Sequence, residues 1–115
     1  MSIAYRMDVS ITEFHTERVD QIVAAAGTEW QFGPLWLERD EEDRPQKILL
    51  DGESVLAGGE TEEEFCRRLS SAIWKANGGY CVVDINATCL EDLPYTNHCL
   101  DQDEYEAIAN EEDAP

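Results

Sequence analysis

One α+β domain is what the sequence predicts, on three observations. Two segments, Ile3 to Thr12 and Cys81 to Cys89, alternate apolar with polar residues at the period of two that suits a strand with one buried and one wet face. Two others, Val19 to Ala26 and Phe65 to Ala76, repeat apolar residues at i, i+3, i+4 and i+7, the stripe of an amphipathic helix. The chain has 115 residues, 43% apolar and 30% charged, which is enough for one buried core and too little for two.

The elements follow in order. Ile3, Tyr5, Met7, Val9 and Ile11 alternate with Arg6, Asp8, Ser10 and Thr12 in the first strand. Thr16 can cap a helix carrying Val19, Ile22, Val23 and Ala26, with Gly27 as its left-handed stop. A second strand is expected between Pro34 and Leu37, starting after the proline because a proline cannot donate to a central ladder. Residues 38–44 carry five acids and read as a solvated loop. Ile48 to Leu50 and Val55 to Ala57 flank Asp51-Gly52, a pair that favours the positive φ of a two-residue hairpin turn. Ile48 is therefore expected opposite Val55. Gly58-Gly59 breaks the strand, and between Trp30 and Ala57 the pattern allows either two or three short strands.

Thr61 and Glu64 have capping-box spacing at the start of the second helix, whose stripe is Phe65, Cys66, Leu69, Ala72, Ile73 and Ala76. Asn77-Gly78-Gly79 ends it. Trp74 lies about 100° round from Ile73 and is expected at the margin of the core. Cys81, Val83, Ile85, Ala87 and Cys89 form the buried face of a long strand. A short strand follows near residues 95–100, then a short helix over residues 101–110 and a frayed acidic tail over residues 111–115. The order β-α-β-β-α-β is that of a ferredoxin-like split βαβ fold, an antiparallel sheet with two helices on one face. The extra C-terminal strand and helix are additions to it.

Chemistry is sparse. His15, His98, Cys66, Cys81, Cys89 and Cys99 lack the close pairs of a zinc site, so the four cysteines are expected as buried free thiols. Asp101, Asp103 and Tyr105 begin like a calcium loop, but Glu106 stands where the turn needs glycine. Neither glycine pair has the Lys and Ser or Thr of a phosphate loop. Cys81 and Cys89 sit in an apolar alternation, where a thiol is a small hydrophobe and not a nucleophile. With 26 acids in the chain, any one carboxylate pair carries little weight. No cofactor, no metal and no enzymatic activity are expected. The N-terminus lacks the basic-then-apolar pattern of a signal peptide and no window approaches a membrane span, so a cytoplasmic, soluble protein is expected.

Charge is the loud signal: 26 acids against 8 bases, formally −18. Residues 76–115 hold 10 acids and no Lys or Arg. Phosphate backbones are bound chiefly by Lys and Arg, so direct nucleic-acid binding is not expected. The expected partner is a basic protein surface, met by one of two acid clusters: Glu38, Asp40, Glu41, Glu42 and Asp43, or Asp101, Asp103, Glu104 and Glu106. Trp36, Trp30 or Tyr95 could supply packed anchors beside them. The other function class is a small housekeeping ligand-binding or enzymatic domain whose acidity serves solubility alone.

At Ala76-Asn77-Gly78-Gly79-Tyr80-Cys81 and Leu90-Glu91-Asp92-Leu93-Pro94-Tyr95, the chain resembles a group of small uncharacterised bacterial and mobile-element proteins. In size and charge it is also similar to phage and plasmid inhibitors that act as DNA mimics, including anti-CRISPR and anti-restriction proteins. That likeness implies an inhibitor of a nucleic-acid-handling complex, and it assigns no residue, because those inhibitors share no common motif.

Overall fold

The computed structural model describes residues 3–56, 60–90 and 95–113, with side chains over 4–56, 60–90 and 95–108. The fold is α+β, a five-stranded antiparallel sheet with three helices. In chain order the elements are β1 (Ile3–Thr12), α1 (Val19–Glu29), β2 (Trp36–Arg39), β3 (Pro45–Leu56), α2 (Glu62–Asn77), β4 (Val82–Cys89), β5 (Tyr95–Cys99) and α3 (Gln102–Asp113). Across the sheet the order is β2-β3-β1-β4-β5. β1 is the central strand, paired with β3 from Ile3↔Leu56 to Ile11↔Ile48 and with β4 from Tyr5↔Cys89 to Thr12↔Val82.

The alternation in β1 and β4 puts Tyr5, Met7, Val9, Ile11, Val83, Ile85 and Ala87 on the buried face, beneath α1 and α2. α1 adds Ile22 and Ala26, and α2 adds Phe65, Cys66, Leu69, Ile73 and Trp74. The capping box forms as its spacing predicts: Thr61 Oγ1 accepts the Glu64 N–H at 3.1 Å, and Glu64 Oε1 accepts the Thr61 N–H at 3.3 Å. Gly78 ends α2 in the left-handed region at φ 82. Trp74 is 2% exposed, with its indole N–H donated to the Cys81 carbonyl at 2.9 Å.

Several local expectations are overturned. Asp51-Gly52 is no hairpin turn: β3 is one strand that runs straight through it, Asp51 facing Asp8 and Gly52 facing Met7. Ile48 therefore faces Ile11, and Val55 faces Ala4. A continuous ladder against β1 satisfies more backbone groups than a second short hairpin would. The glycine serves a close approach instead. A Cβ at residue 52 would stand 2.2 Å from the Gln31 carbonyl oxygen and 2.9 Å from Phe32 Cα. The Gly52 carbonyl accepts the Trp30 indole N–H at 3.0 Å, and the Asp51 carbonyl accepts the Gly33 N–H at 2.7 Å.

Gly27 does not stop α1, which continues to Glu29; the helix leaves at Trp30 in extended backbone. Thr16 opens a short 3-10 turn instead of capping the helix. The donor just before that turn, the His15 N–H, is satisfied across the fold by Asn77 Oδ1 at 2.7 Å. Glu38 and Arg39 belong to β2 and not to a loop. Ala57, Gly58 and Gly59, expected at the end of a strand and as its breaker, lie outside the described residues.

Candidate functional site

The first acid cluster sits on the β2–β3 turn, and its own bases hold much of it. Asp40 is the organising residue, with Oδ1 accepting the backbone N–H groups of Glu42 and Arg44 at 2.9 Å each. Its Oδ2 takes the Arg44 Nε–H at 3.0 Å. These bonds, the Arg44 backbone first, hold the Asp40 carboxyl below its ordinary pKa of 3.8. Glu42 pairs with Arg44 at 3.2 Å and Asp43 with Arg39 at 3.8 Å, and Glu38 faces Lys47 across the ladder. Asp43 adopts φ 64, a left-handed position at the tip of the turn.

The second cluster lies in a stretch of sequence with no Lys or Arg. Asp101 caps α3, its Oδ1 accepting the Glu104 N–H at 2.9 Å, and Asp103 and Glu104 follow in the first helical turn, where negative charge complements the positive end of the helix dipole. The register places both clusters at the same end of the sheet. The β2–β3 turn, the C-terminus of β1, the N-terminus of β4 and the C-terminus of β5 all meet there. Four interstrand spacings of about 4.8 Å separate the two edges by ~19 Å, and Glu13 stands between them. The phenol of Tyr80 registers this end electrostatically: its pKa is raised, by burial first and then by Cys99, Asp101 and Glu13.

The sequence reading missed a third set of acids, on the sheet face away from α1 and α2. Asp8, Asp51 and Asp84 come from three neighbouring strands. Arg6 bridges two of them, with Nε 3.3 Å from Asp8 Oδ1 and NH2 2.8 Å from Asp51 Oδ2, so its own pKa rises through Asp8 first and Asp51 next. Asp84 Oδ1 accepts the Asn97 amide at 2.5 Å, and the same amide donates to Asn86 Oδ1 at 2.8 Å. Together with Pro34, Trp36 and Leu49, these acids line a concavity of about 380 Å³. Parity along β1 and β4 already marked Asp8 and Asp84 as facing outward. Asp51 was hidden by being read as a turn residue.

Of the three aromatic anchors expected, Trp36 is 66% and Tyr95 61% exposed, both on this open face; Trp30 is not available. Its ring is buried edge-on against Phe65, centroids 4.9 Å apart. Tyr80, just ahead of β4, which begins at Val82, packs against Trp74 and Tyr105 at 5.9 and 5.8 Å.

The cysteines are free thiols, of which Cys66 and Cys81 are buried. Burial pushes both up to about 12. Cys89, expected to be buried, is half-buried at the last pair of the β1–β4 ladder, opposite Tyr5, and Cys99, also expected to be buried, is exposed. His98 Nε2 lies 3.0 Å from Glu62 Oε1, and the Tyr5 hydroxyl donates to Glu62 Oε2 at 2.7 Å, tying β5 and β1 to the first turn of α2. Among the described residues, no three His, Cys, Asp or Glu side chains stand together as a metal site, and no helix is long and apolar enough to cross a membrane. Compared with protein-family models, curated proteins and solved structures, the chain matches none.

Proposed function

We propose that this chain is an acidic protein-binding inhibitor that occupies a basic nucleic-acid-binding surface of another protein, in the manner of the DNA-mimic inhibitors. The observation that carries the reading is the distribution of charge about the sheet. Both acid clusters lie at one end of the sheet, one on the β2–β3 turn and one at the start of α3, with Glu13 at the end of the central strand between them. Four of the eight bases, Arg18, Arg67, Arg68 and Lys75, belong instead to the helix layer. The scaffold is read as a ferredoxin-like core, β4-β1-β3-β2 in space, with β5 added outside β4. Asp8, Asp51 and Asp84 on its open face repel the phosphates that RNA-binding sheets attract, so nucleic acid itself is not the partner. The protein is read as cytoplasmic, without cofactor or catalytic residue.

The test is affinity capture at low and at high salt, followed by competition with duplex DNA for the captured protein. A basic, nucleic-acid-binding protein should be recovered at low salt, released at high salt and displaced by the duplex. Reversal of Asp40, Glu41, Glu42 and Asp43 to Lys, and separately of Asp101, Asp103, Glu104 and Glu106, should leave the fold intact, and one set should abolish capture. Recovery of no basic partner at low salt, or full binding by both reversed variants, would show that the acidity serves solubility alone.

A further inference from the structure

The open face of the sheet offers a groove whose two walls differ in chemistry. One wall is apolar and planar: Trp36, two-thirds exposed at the edge strand, with Pro34 and Leu49 beside it. The other is anionic, formed by Asp8, Asp51 and Asp84, with Ser10 on the floor between. Trp36, Leu49, Ser10 and Asp84 lie in one row across four strands, so a ligand lying along that row meets ring, aliphatic side chain, hydroxyl and carboxylate in turn. Among the described residues Trp36 is the most exposed large apolar side chain, and it stands on the rim of this concavity opposite the carboxylates.

We propose that this groove takes an arginine side chain presented by a basic partner protein, its guanidinium plane against Trp36 and its N–H groups directed at Asp8 and Asp84. Only the partner's identity as a basic protein rests on the functional reading above; the chemistry of the groove stands by itself. Three features select arginine. A guanidinium is planar, weakly hydrated and able to stack on an indole while donating to carboxylates, whereas an ammonium is a compact, strongly hydrated point charge. The face already seats one guanidinium, that of Arg6, between Asp8 and Asp51. Arg6 engages Asp8 Oδ1 and Asp51 Oδ2, and three carboxylates against that single base leave the groove anionic. A nucleobase could stack on Trp36 equally well, but its phosphates would face the same three carboxylates.

The test uses the full chain with a tetra-arginine peptide and a tetra-lysine peptide of equal length and charge, followed by the indole N–H resonances in NMR. Trp30 and Trp74 donate their indole N–H groups to the Gly52 and Cys81 carbonyls, so the Trp36 signal is separable from theirs. Tetra-arginine is expected to move the Trp36 resonance and to bind at least about fivefold more tightly than tetra-lysine. Trp36→Ala should remove that preference and Asp84→Asn should weaken arginine binding severalfold, with thermal unfolding confirming that both variants fold. Equal affinity for the two peptides, or binding undiminished by Trp36→Ala, would reduce the interaction to general charge attraction and overturn the proposal. So would a dimer in sedimentation that Trp36→Ala dissociates, which would assign the groove to a second copy, or saturable binding of single-stranded DNA that moves the Trp36 signal. Failed capture of a partner alongside arginine-selective binding would sink the inhibitor reading and leave the groove; the converse would do the reverse.

Discussion

Gly27 and Gly52 look alike in the sequence, yet the structure gives substitutions there opposite signs. At Gly52 an added Cβ would collide with the backbone of Gln31 and Phe32, which cannot swing aside as a side-chain end could. Gly52→Ala is expected to cost about 1 to 3 kcal/mol, as other overpacking changes do, and to loosen the Trp30 segment, read by urea unfolding and by exchange of the Trp30 indole proton. At Gly27 nothing lies within 4 Å of the added atom and the residue is helical. Gly27→Ala should therefore stabilise by about 0.5 to 1 kcal/mol, through lower entropy of the unfolded chain. A destabilised Gly27→Ala would mean that α1 ends at that glycine after all.

The thiols make a second residue-scale case. Cys66 and Cys81 are pushed from the ordinary 9.0 up to about 12, Cys66 by burial and then by Glu62 and Glu63, Cys81 by burial. A folded-state pKa above the unfolded one means that their contribution to stability is fully present below about pH 9 and is lost as pH climbs from there toward 12. Alkaline unfolding in that window is expected, and Cys66→Ala with Cys81→Ala should shift its midpoint upward. Under native conditions a thiol reagent should modify Cys99 first and leave Cys66 and Cys81 untouched until the protein opens. Prompt loss of all four thiols without unfolding would contradict the register of β4.

At the scale of elements, the described side chains that hold α3 to the helix layer are aromatic and aliphatic. Tyr105 sets its ring edge-on to Trp74 at 5.1 Å and beside Tyr80, while Leu100 and Ile108 are buried close by. Tyr105→Ala is expected to free α3 from α2 without unfolding the sheet, seen as faster amide exchange confined to residues 101–113. Ile85→Ala removes a side chain with no exposure and should instead lower global stability by about 2 to 5 kcal/mol.

Which elements could be read from the sequence follows from where their signals come from. β1, β4 and α2 carry long local patterns, the period of two, the apolar stripe, the capping box and the Gly78 stop, and each formed where those patterns lie. Residues 30–56 carry signals that depend on what crosses them. Asp51-Gly52 is a turn by local preference and a crossing point by tertiary contact, and tertiary contact wins because nine ladder positions against β1 outweigh one turn. The acid clusters were legible as runs. The open-face groove was not, because its acids and its tryptophan stand 15 to 48 residues apart in sequence, and only the sheet order brings them side by side.

For the molecule as a whole, the net charge of −18 acts in two opposed ways that one experiment separates. Within the free protein the acids repel one another, among them the two clusters and Glu13 at one end of the sheet, so screening should relieve the folded state. Between the protein and a basic partner the same charge attracts, so screening should weaken the complex. The local pairs, Arg44 with Asp40 and Glu42, and Arg68 with Glu29 and Glu60, are exposed or half-buried and worth little against that sum. Raising salt from about 0.01 to about 0.15 M shortens the screening length from roughly 30 to roughly 8 Å, well below the ~19 Å between the two edges. The melting temperature of the free chain should therefore rise across that range while capture of the partner falls. A melting temperature that falls with salt would show that the ion pairs outweigh the repulsion. Capture that survives 0.15 M salt undiminished would show that packed anchors such as Trp36, and not the carboxylates, supply the affinity.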